Sequence, residues 1–306
     1  MLYLGIDGGG TKTEAVLCSE DGVIVARAIA GASAPISVPV PQLTSTLRQL
    51  FADLNLDARG NVVGYAGISG CATERDRSIF ERCSREVLPG NVSLRTGSDC
   101  VCAFNAAIGP GTDGILLIAG TGSISYLRKD GNYHRIGGWG YLLGDEGSGY
   151  DMGRRALNAA LRAYDGRGPQ TLLQKLVEDR IGARVNRVTD SVYEHGRSEI
   201  ASYARILITA AEAGDAVALS ELDKSIEELR LHAATAIRAA GGETLPVVVA
   251  GGLVTGSDLV LGRLRQALES IPLIIPKTSP VYGAVLEAVG HETESFAKNY
   301  LEAYHA

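Results

Sequence analysis

Three short segments of this chain carry residue types suited to handling phosphate. The first is Gly5-Ile6-Asp7-Gly8-Gly9-Gly10-Thr11-Lys12-Thr13. Glycines allow backbone N–H groups to close on phosphate oxygens, and Thr11 adds a hydroxyl donor. Gly8, Gly9, Gly10, Thr11 and Lys12 are therefore candidate phosphate contacts. The run is not a Walker A loop, because Thr11 separates Gly10 from Lys12, and it is not G-x-G-x-x-G, because the last place falls on Thr13. Asp7 stands just before the glycines, where a carboxylate would repel bare phosphate. A cation between them removes the conflict, so the pattern points to a Mg²⁺-nucleotide, with Asp7 as the metal-associated carboxylate, reaching the ion through water. A tight hairpin with an incidental Asp is the competing reading.

The second segment, Gly120-Thr121-Gly122-Ser123, repeats the arrangement 112 residues after Gly8. Hairpins use such residues freely, so the motif gains weight from its place in a repeat. Two such loops are expected to face one polyphosphate. The third is the densest glycine region, residues 137–149, with the chain's single Trp at 139. So many glycines cost chain entropy and make sense where backbone must approach a ligand or another segment closely. Asp145 within it could accept hydrogen bonds from sugar hydroxyls or cap the helix beginning there. Asp99, after Gly97-Ser98, has two readings as well. It could cap a helix, or act as general base on an attacking hydroxyl.

These loops need strands and helices to hold them. Alternating apolar residues predict strands over 2–6, 14–18 and 23–28, then a helix over 41–54, a strand over 62–66, a helix over 74–87, a strand over 92–95 and a helix over 99–108. That order is βββαβαβα. It restarts with a strand over 114–119 and a hairpin over 124–136. Residues 150–240 read as mainly helical, and the stripe Leu222, Ile226, Leu229, Ala233, Ile237 and Ala240 reads as core. A strand over 245–250, Gly251-Gly252, a helix from 258, a strand over 273–275 and a helix from 281 follow. A last helix carries Phe296, Tyr300 and Tyr304 at spacing four. The expected division is an N-terminal lobe over 1–111, completed by the 291–306 helix, and a C-terminal lobe over 112–290.

Composition narrows the classes. The 306 residues carry 29 Lys and Arg against 35 Asp and Glu, a formal charge of −6, which argues against a broad nucleic-acid face. The five cysteines all lie between residues 18 and 102, with no C-x-x-C pair, and read as reduced thiols of a cytoplasmic protein. Apolar runs are too short for a membrane helix, so no membrane partner is expected.

Taken in order, residues 5–13, 96–107, 118–123, 137–149 and 248–256 resemble the N-acetylglucosamine kinase-like family of the actin-like ATPase superfamily. That family also holds the ATPase activators of 2-hydroxyacyl-CoA dehydratase and benzoyl-CoA reductase. The resemblance spans nearly the whole chain and is most specific at G-G-W-G-x-x-x-G-D-E-G-S. It implies an α/β, two-lobed, ribonuclease H-like fold with duplicated βββαβαβα units. It further implies ATP and Mg²⁺ as cofactors and transfer of phosphate to the 6-hydroxyl of an amino sugar, N-acetylglucosamine ahead of N-acetylmuramic acid and glucosamine. Asp99 resembles the family's catalytic base and sugar ligand, Asp7 its magnesium-associated carboxylate, and Thr11 and Thr121 its phosphate-loop hydroxyls. Gly138, Trp139, Gly140 and Asp145 match the sugar segment, and Gly251, Gly252 and Thr255 the adenosine loop. Many relatives carry a sugar-contacting Asn after the third strand. Here the stretch 31–37 has none, and Ser33 is the substitute candidate. An activator function would require cluster-binding cysteines near the second glycine loop, where Ala119 stands instead. The oligomeric state stays open, a homodimer being the candidate.

Overall fold

In the computed structural model, which describes residues 1–71, 73–269 and 271–305, two five-stranded sheets share one strand order. The first contains β1 (Leu2–Gly8), β2 (Thr13–Ser19), β3 (Ile24–Ala30), β4 (Val62–Ile68) and β5 (Val92–Ser98), arranged β3-β2-β1-β4-β5. The second contains β6 (Gly114–Ala119), β7 (Ser123–Lys129), β8 (Asn132–Ile136), β9 (Val247–Ala250) and β10 (Leu273–Ile274), arranged β8-β7-β6-β9-β10. In both, the first three strands form an antiparallel meander and the last two join in parallel through helical crossovers. The duplication inferred from the two glycine loops is thus a duplication of topology.

The first unit comprises residues 1–112 and 276–306. Its helices α1 (Val40–Asp53), α2 (Glu74–Val87) and α3 (Asp99–Ile108) follow the expected order. Leu43, Leu47 and Leu50 of α1 and Phe80 of α2 bury against Leu4, Ile6 and Leu17 of the sheet, an i, i+4 stripe meeting a period-two face. In the parallel register Asp7 lies beside Gly67, and Gly67 beside Gly97. The carboxyl ends of β1, β4 and β5 therefore finish together, where open α/β sheets place their ligands.

The second unit, residues 113–275, interposes five helices between β8 and β9. These are α4 (Gly149–Tyr164), α5 (Leu172–Ile181), α6 (Val188–Ser202), α7 (Ala204–Glu212) and α8 (Ala216–Ala239). Leu222, Ile226, Leu229 and Ala233 of α8 bury in a core shared with Ile115 and Leu117 of β6 and Met152 of α4. After β9 come α9 (Gly252–Thr255) and α10 (Asp258–Ala267).

One boundary differs from expectation. Helix α11 (Pro280–Val289), expected in the 112–290 lobe, packs on β1 and α3 of the first unit. Two glycines allow the approach: a Cβ on Gly283 would collide with the Cys102 carbonyl, and one on Gly5 would press into Val285. Glu287 then accepts hydrogen bonds from Asn105 at 2.8 Å and Arg95 at 3.5 Å. Helix α12 (Glu294–His305) buries Phe296 and Tyr300 against Val16, Cys18 and Tyr282 of the same unit. Each such ring contributes about 2 kcal/mol on burial. Among the described residues no helix is long and apolar enough to cross a membrane.

Candidate functional site

The first glycine loop is held by backbone hydrogen bonds. Gly9 N–H donates to Lys12 O at 3.0 Å, Gly9 O accepts from Ser33 and Ala34 N–H at 3.0 and 3.2 Å, and Gly8 O accepts from Ser69 N–H at 2.8 Å. Thr11 and Lys12 are exposed at its tip, with Lys12 Nζ 3.9 Å from Glu14. Ser33 is fully buried and its hydroxyl, without a hydrogen-bond partner among the described residues, packs against the bare Cα of Gly8. In this structure Ser33 supports the loop from behind and is not open to solvent.

Asp7 is half-buried at the mouth of the loop. Its carboxyl is pushed up to about 6, first by burial and then by the negative charges of Asp99 and Glu14, with Lys12 pulling the other way. Asp99 opens α3, but Ser98 performs the capping, accepting from Cys100 N–H at 3.3 Å and donating its hydroxyl to Asp99 Oδ1 at 3.1 Å. The two carboxylates that the sequence singled out thus share one end of one sheet. Capping, the competing account of Asp99, falls to its neighbour.

The five cysteines are all buried in this unit, and burial pushes the Cys18 and Cys71 thiols up to about 12. Such thiols are poor ligands and poor nucleophiles.

In the second unit the glycine loop and the glycine-rich segment form one hydrogen-bonded body. Gly149 N–H donates to Gly120 O at 2.8 Å, Tyr150 N–H to Thr121 O at 3.1 Å, and Ser123 Oγ to Glu146 O at 2.6 Å. Asp145 is buried and held at φ 60°, a conformation that L-residues adopt rarely. Its Oδ2 accepts from Arg197 Nη2 at 3.1 Å. Both groups lie over Gly122, where a Cβ would stand 2.7 Å from Arg197 Nη2 and 2.8 Å from Asp145 Oδ2. Ser148, not Asp145, caps α4, accepting from Asp151 N–H at 3.2 Å. Gly138 and Gly140 both take positive φ, and the exposed Trp139 between them lies under the Arg135 guanidinium, 4.7 Å from its ring centroid.

Gly251 turns at φ 99° directly against the Ala119 backbone, which brings the loop after β9 beside the second glycine loop. The Thr255 hydroxyl donates to Gly251 O at 3.1 Å, so it closes its own helical turn. Gly120, Thr121, Gly252 and Ser257 line a cleft of about 1140 Å³ together with Arg205 and Glu212 of α7. The second glycine loop and the expected adenosine loop therefore open onto one cleft.

Sequence reading missed Arg197. It lies 52 residues from Asp145, inside a helical run, and nothing in its spacing links the two. The one available signal was Gly196, whose φ of 64° and ψ of −136° break α6 and turn Arg197 toward the loop. Arg205 was missed for the same reason, since a surface arginine on a helix is usually solvated.

The profile of the BadF/BadG/BcrA/BcrD ATPase family matches residues 4–288. An N-acetylmuramic acid/N-acetylglucosamine kinase of Clostridium acetobutylicum is 30% identical over 93% of this chain and 97% of its own length. An N-acetyl-D-glucosamine kinase of Dictyostelium discoideum is 27% identical over 94% of this chain and 98% of its own. A solved structure from Chromobacterium violaceum, of a provisionally assigned N-acetylglucosamine kinase, superposes with a TM-score of 0.71 at 29% identity, covering 94% of this chain and 98% of that one. The fold is that of the actin-like ATPase sugar kinases. With a profile match over nearly its whole length and a relative 30% identical over 97% of that relative, the chain belongs to the BadF/BadG/BcrA/BcrD ATPase family.

Proposed function

We propose that this ATP-dependent sugar kinase transfers the γ-phosphate of ATP to the 6-hydroxyl of an amino sugar, with N-acetylglucosamine the preferred acceptor. The observation that carries the reading is the hydrogen-bonded union of the phosphate loop with the segment that presents Asp145 and Trp139. A loop that holds phosphate is thereby tied to a segment built to hold a polyhydroxyl ligand. The names of the Clostridium and Dictyostelium relatives, both amino-sugar kinases, support the acceptor class.

Asp99 is the general base: it takes the proton from the attacking hydroxyl at its carboxylate, the step that turns a weak nucleophile into a competent one. Asp145 accepts hydrogen bonds from sugar hydroxyls, while Gly138 and Gly140 let backbone approach the ring and Trp139 offers an apolar face. Gly8 to Lys12 and Gly120 to Ser123 donate N–H and hydroxyl groups to the phosphates, and Gly251, Gly252 and Thr255 form the floor for adenosine. Among the described residues no three acidic, His or Cys side chains are gathered for a metal, so a protein-only cage does not fit. A nucleotide-borne Mg²⁺ does fit, because it keeps its waters and phosphate ligands and needs only one or two carboxylates, and Asp7, raised first by burial and then by the charges of Asp99 and Glu14, stands where such a cation would relieve the repulsion. When bound, Mg²⁺ neutralises charge on the transferring phosphate.

The test is Mg-ATP consumption against N-acetylglucosamine, N-acetylmuramic acid, glucosamine, glucose and no sugar. Turnover stimulated at least tenfold by one amino sugar is expected. Slow hydrolysis indifferent to every sugar would overturn the proposal.

A further inference from the structure

A second cleft, of about 740 Å³, lies in the helical part of the second unit and shares no lining residue with the nucleotide cleft. It is formed by α4, the 165–170 connection and the first turns of α8. Five cations line it, Arg154, Arg155, Arg162, Arg167 and Lys224, against one carboxylate, Glu221. Their pairing is incomplete. Arg162 has no side-chain hydrogen bond or ion pair among the described residues. Arg167 is held by Asp165 through Nε at 2.8 Å and Nη2 at 2.7 Å, which leaves Nη1 to donate elsewhere. Guanidinium forks match the geometry of phosphate oxygens, and the volume is that of a small-metabolite site.

The cleft is also wired to the glycine-rich segment. Arg155 donates from Nε to Asp151 Oδ2 at 2.8 Å and stands 3.4 Å from Glu221 through Nη1. Asp151 is buried, and the same Oδ2 accepts from Gly147 N–H at 3.2 Å and Ser225 Oγ at 2.9 Å. Gly147 lies two residues beyond Asp145. One carboxylate oxygen thus joins a wall of the cleft to the segment assigned to the sugar.

We propose that this cleft binds a small phosphorylated metabolite, and that the bound phosphate, by drawing Arg155 away from Asp151, changes how firmly Gly147 and the segment around Asp145 are held. Arg162 and Arg167 grip the phosphate, and Arg155 reports its presence. The binding half stands without the amino-sugar reading; the kinetic half rests on it.

The experiment titrates glucosamine 6-phosphate and, separately, phosphoenolpyruvate by calorimetry into full-length protein saturated with a non-hydrolysable ATP analogue, so that the nucleotide cleft is filled. The wild type is expected to bind at least one of the two probes at a single additional site. The Arg162→Ala/Arg167→Ala double variant should lose about tenfold or more in affinity, while its turnover without the probe stays within about twofold. Arg162→Gln, a milder exposed change, should lose affinity in the same direction. In the wild type the bound probe should shift the sugar KM, and the double variant should not respond. No additional site at millimolar probe, or equal binding by the variants, overturns the site; binding without any change in sugar KM overturns the link through Asp151. A protein that phosphorylates no sugar yet binds the probe refutes the proposed function and not the cleft.

Discussion

Replacing Asp7 with Asn should make the ligand-free protein more stable at neutral pH while abolishing its Mg-ATP turnover. The Asp7 carboxyl stands at about 6 in the folded chain, against an ordinary value of 3.8, because burial and the charges of Asp99 and Glu14 disfavour its ionised form. A carboxyl raised on folding leaves the fold unpenalised below about pH 3.8, where both states are protonated. The penalty grows through the window between 3.8 and 6 and is complete above it. The interval corresponds to about 3 kcal/mol at pH 7.5, reduced to about 2 by solvent screening of a half-buried group. Asn removes the charge and keeps the shape, and about a third of the penalty is already present at pH 4.5, so the stability of Asp7→Asn relative to wild type should rise by about 1.3 kcal/mol between pH 4.5 and 7.5. Urea denaturation in metal-free buffer at the two pH values measures the change, since effects of the amide common to both cancel. A difference independent of pH, or one that favours wild type as pH rises, would refute the reasoning.

Other perturbations read other parts of the site. Asp99→Asn should leave nucleotide binding near normal while turnover falls by about 10² or more, checked by calorimetry beside steady-state kinetics. Arg197→Gln removes the charge-assisted hydrogen bond on Asp145, worth about 1.5–3 kcal/mol, and should lower kcat/KM for the sugar by about 10–100-fold with a melting temperature near wild type. Burial alone would raise the Asp151 carboxyl, but Arg155, Ser225 and the Gly147 N–H outweigh it and hold the group below its ordinary value. That stability is present at neutral pH and lost as pH falls through the acid range, and Asp151→Ala, which leaves Arg155 half-buried without its main partner, should cost about 3 kcal/mol in chemical denaturation.

Local pattern made most of the architecture legible. Alternation located the strands, the glycine loops marked their carboxyl ends, and the 112-residue offset between Gly8 and Gly120 disclosed a duplication that the two identical strand orders display. The predicted strands over 62–66 and 92–95 stop short of β4 and β5, whose ladder continues through Gly67 and Gly97 to Ile68 and Ser98. The placement of α11 was illegible for a different reason. It depends on Gly283 meeting the Cys102 backbone and Gly5 meeting Val285, two complementary absences of side chain far apart in the chain. The site divides the same way. Asp7, Asp99 and Asp145 were visible because each stands beside glycines at a strand or helix boundary, whereas Arg197 and Asp151 act through partners that only the folded chain brings near.

Correlated ³¹P–¹H NMR of the product formed from ATP, Mg²⁺ and N-acetylglucosamine tests the central claim most directly, because it reads both the acceptor and the hydroxyl. The account predicts a phosphate ester coupled to the two C6 protons, formed by wild type and reduced at least about a hundredfold in Asp99→Asn. Inorganic phosphate as the only product, or an ester on another carbon, would contradict it.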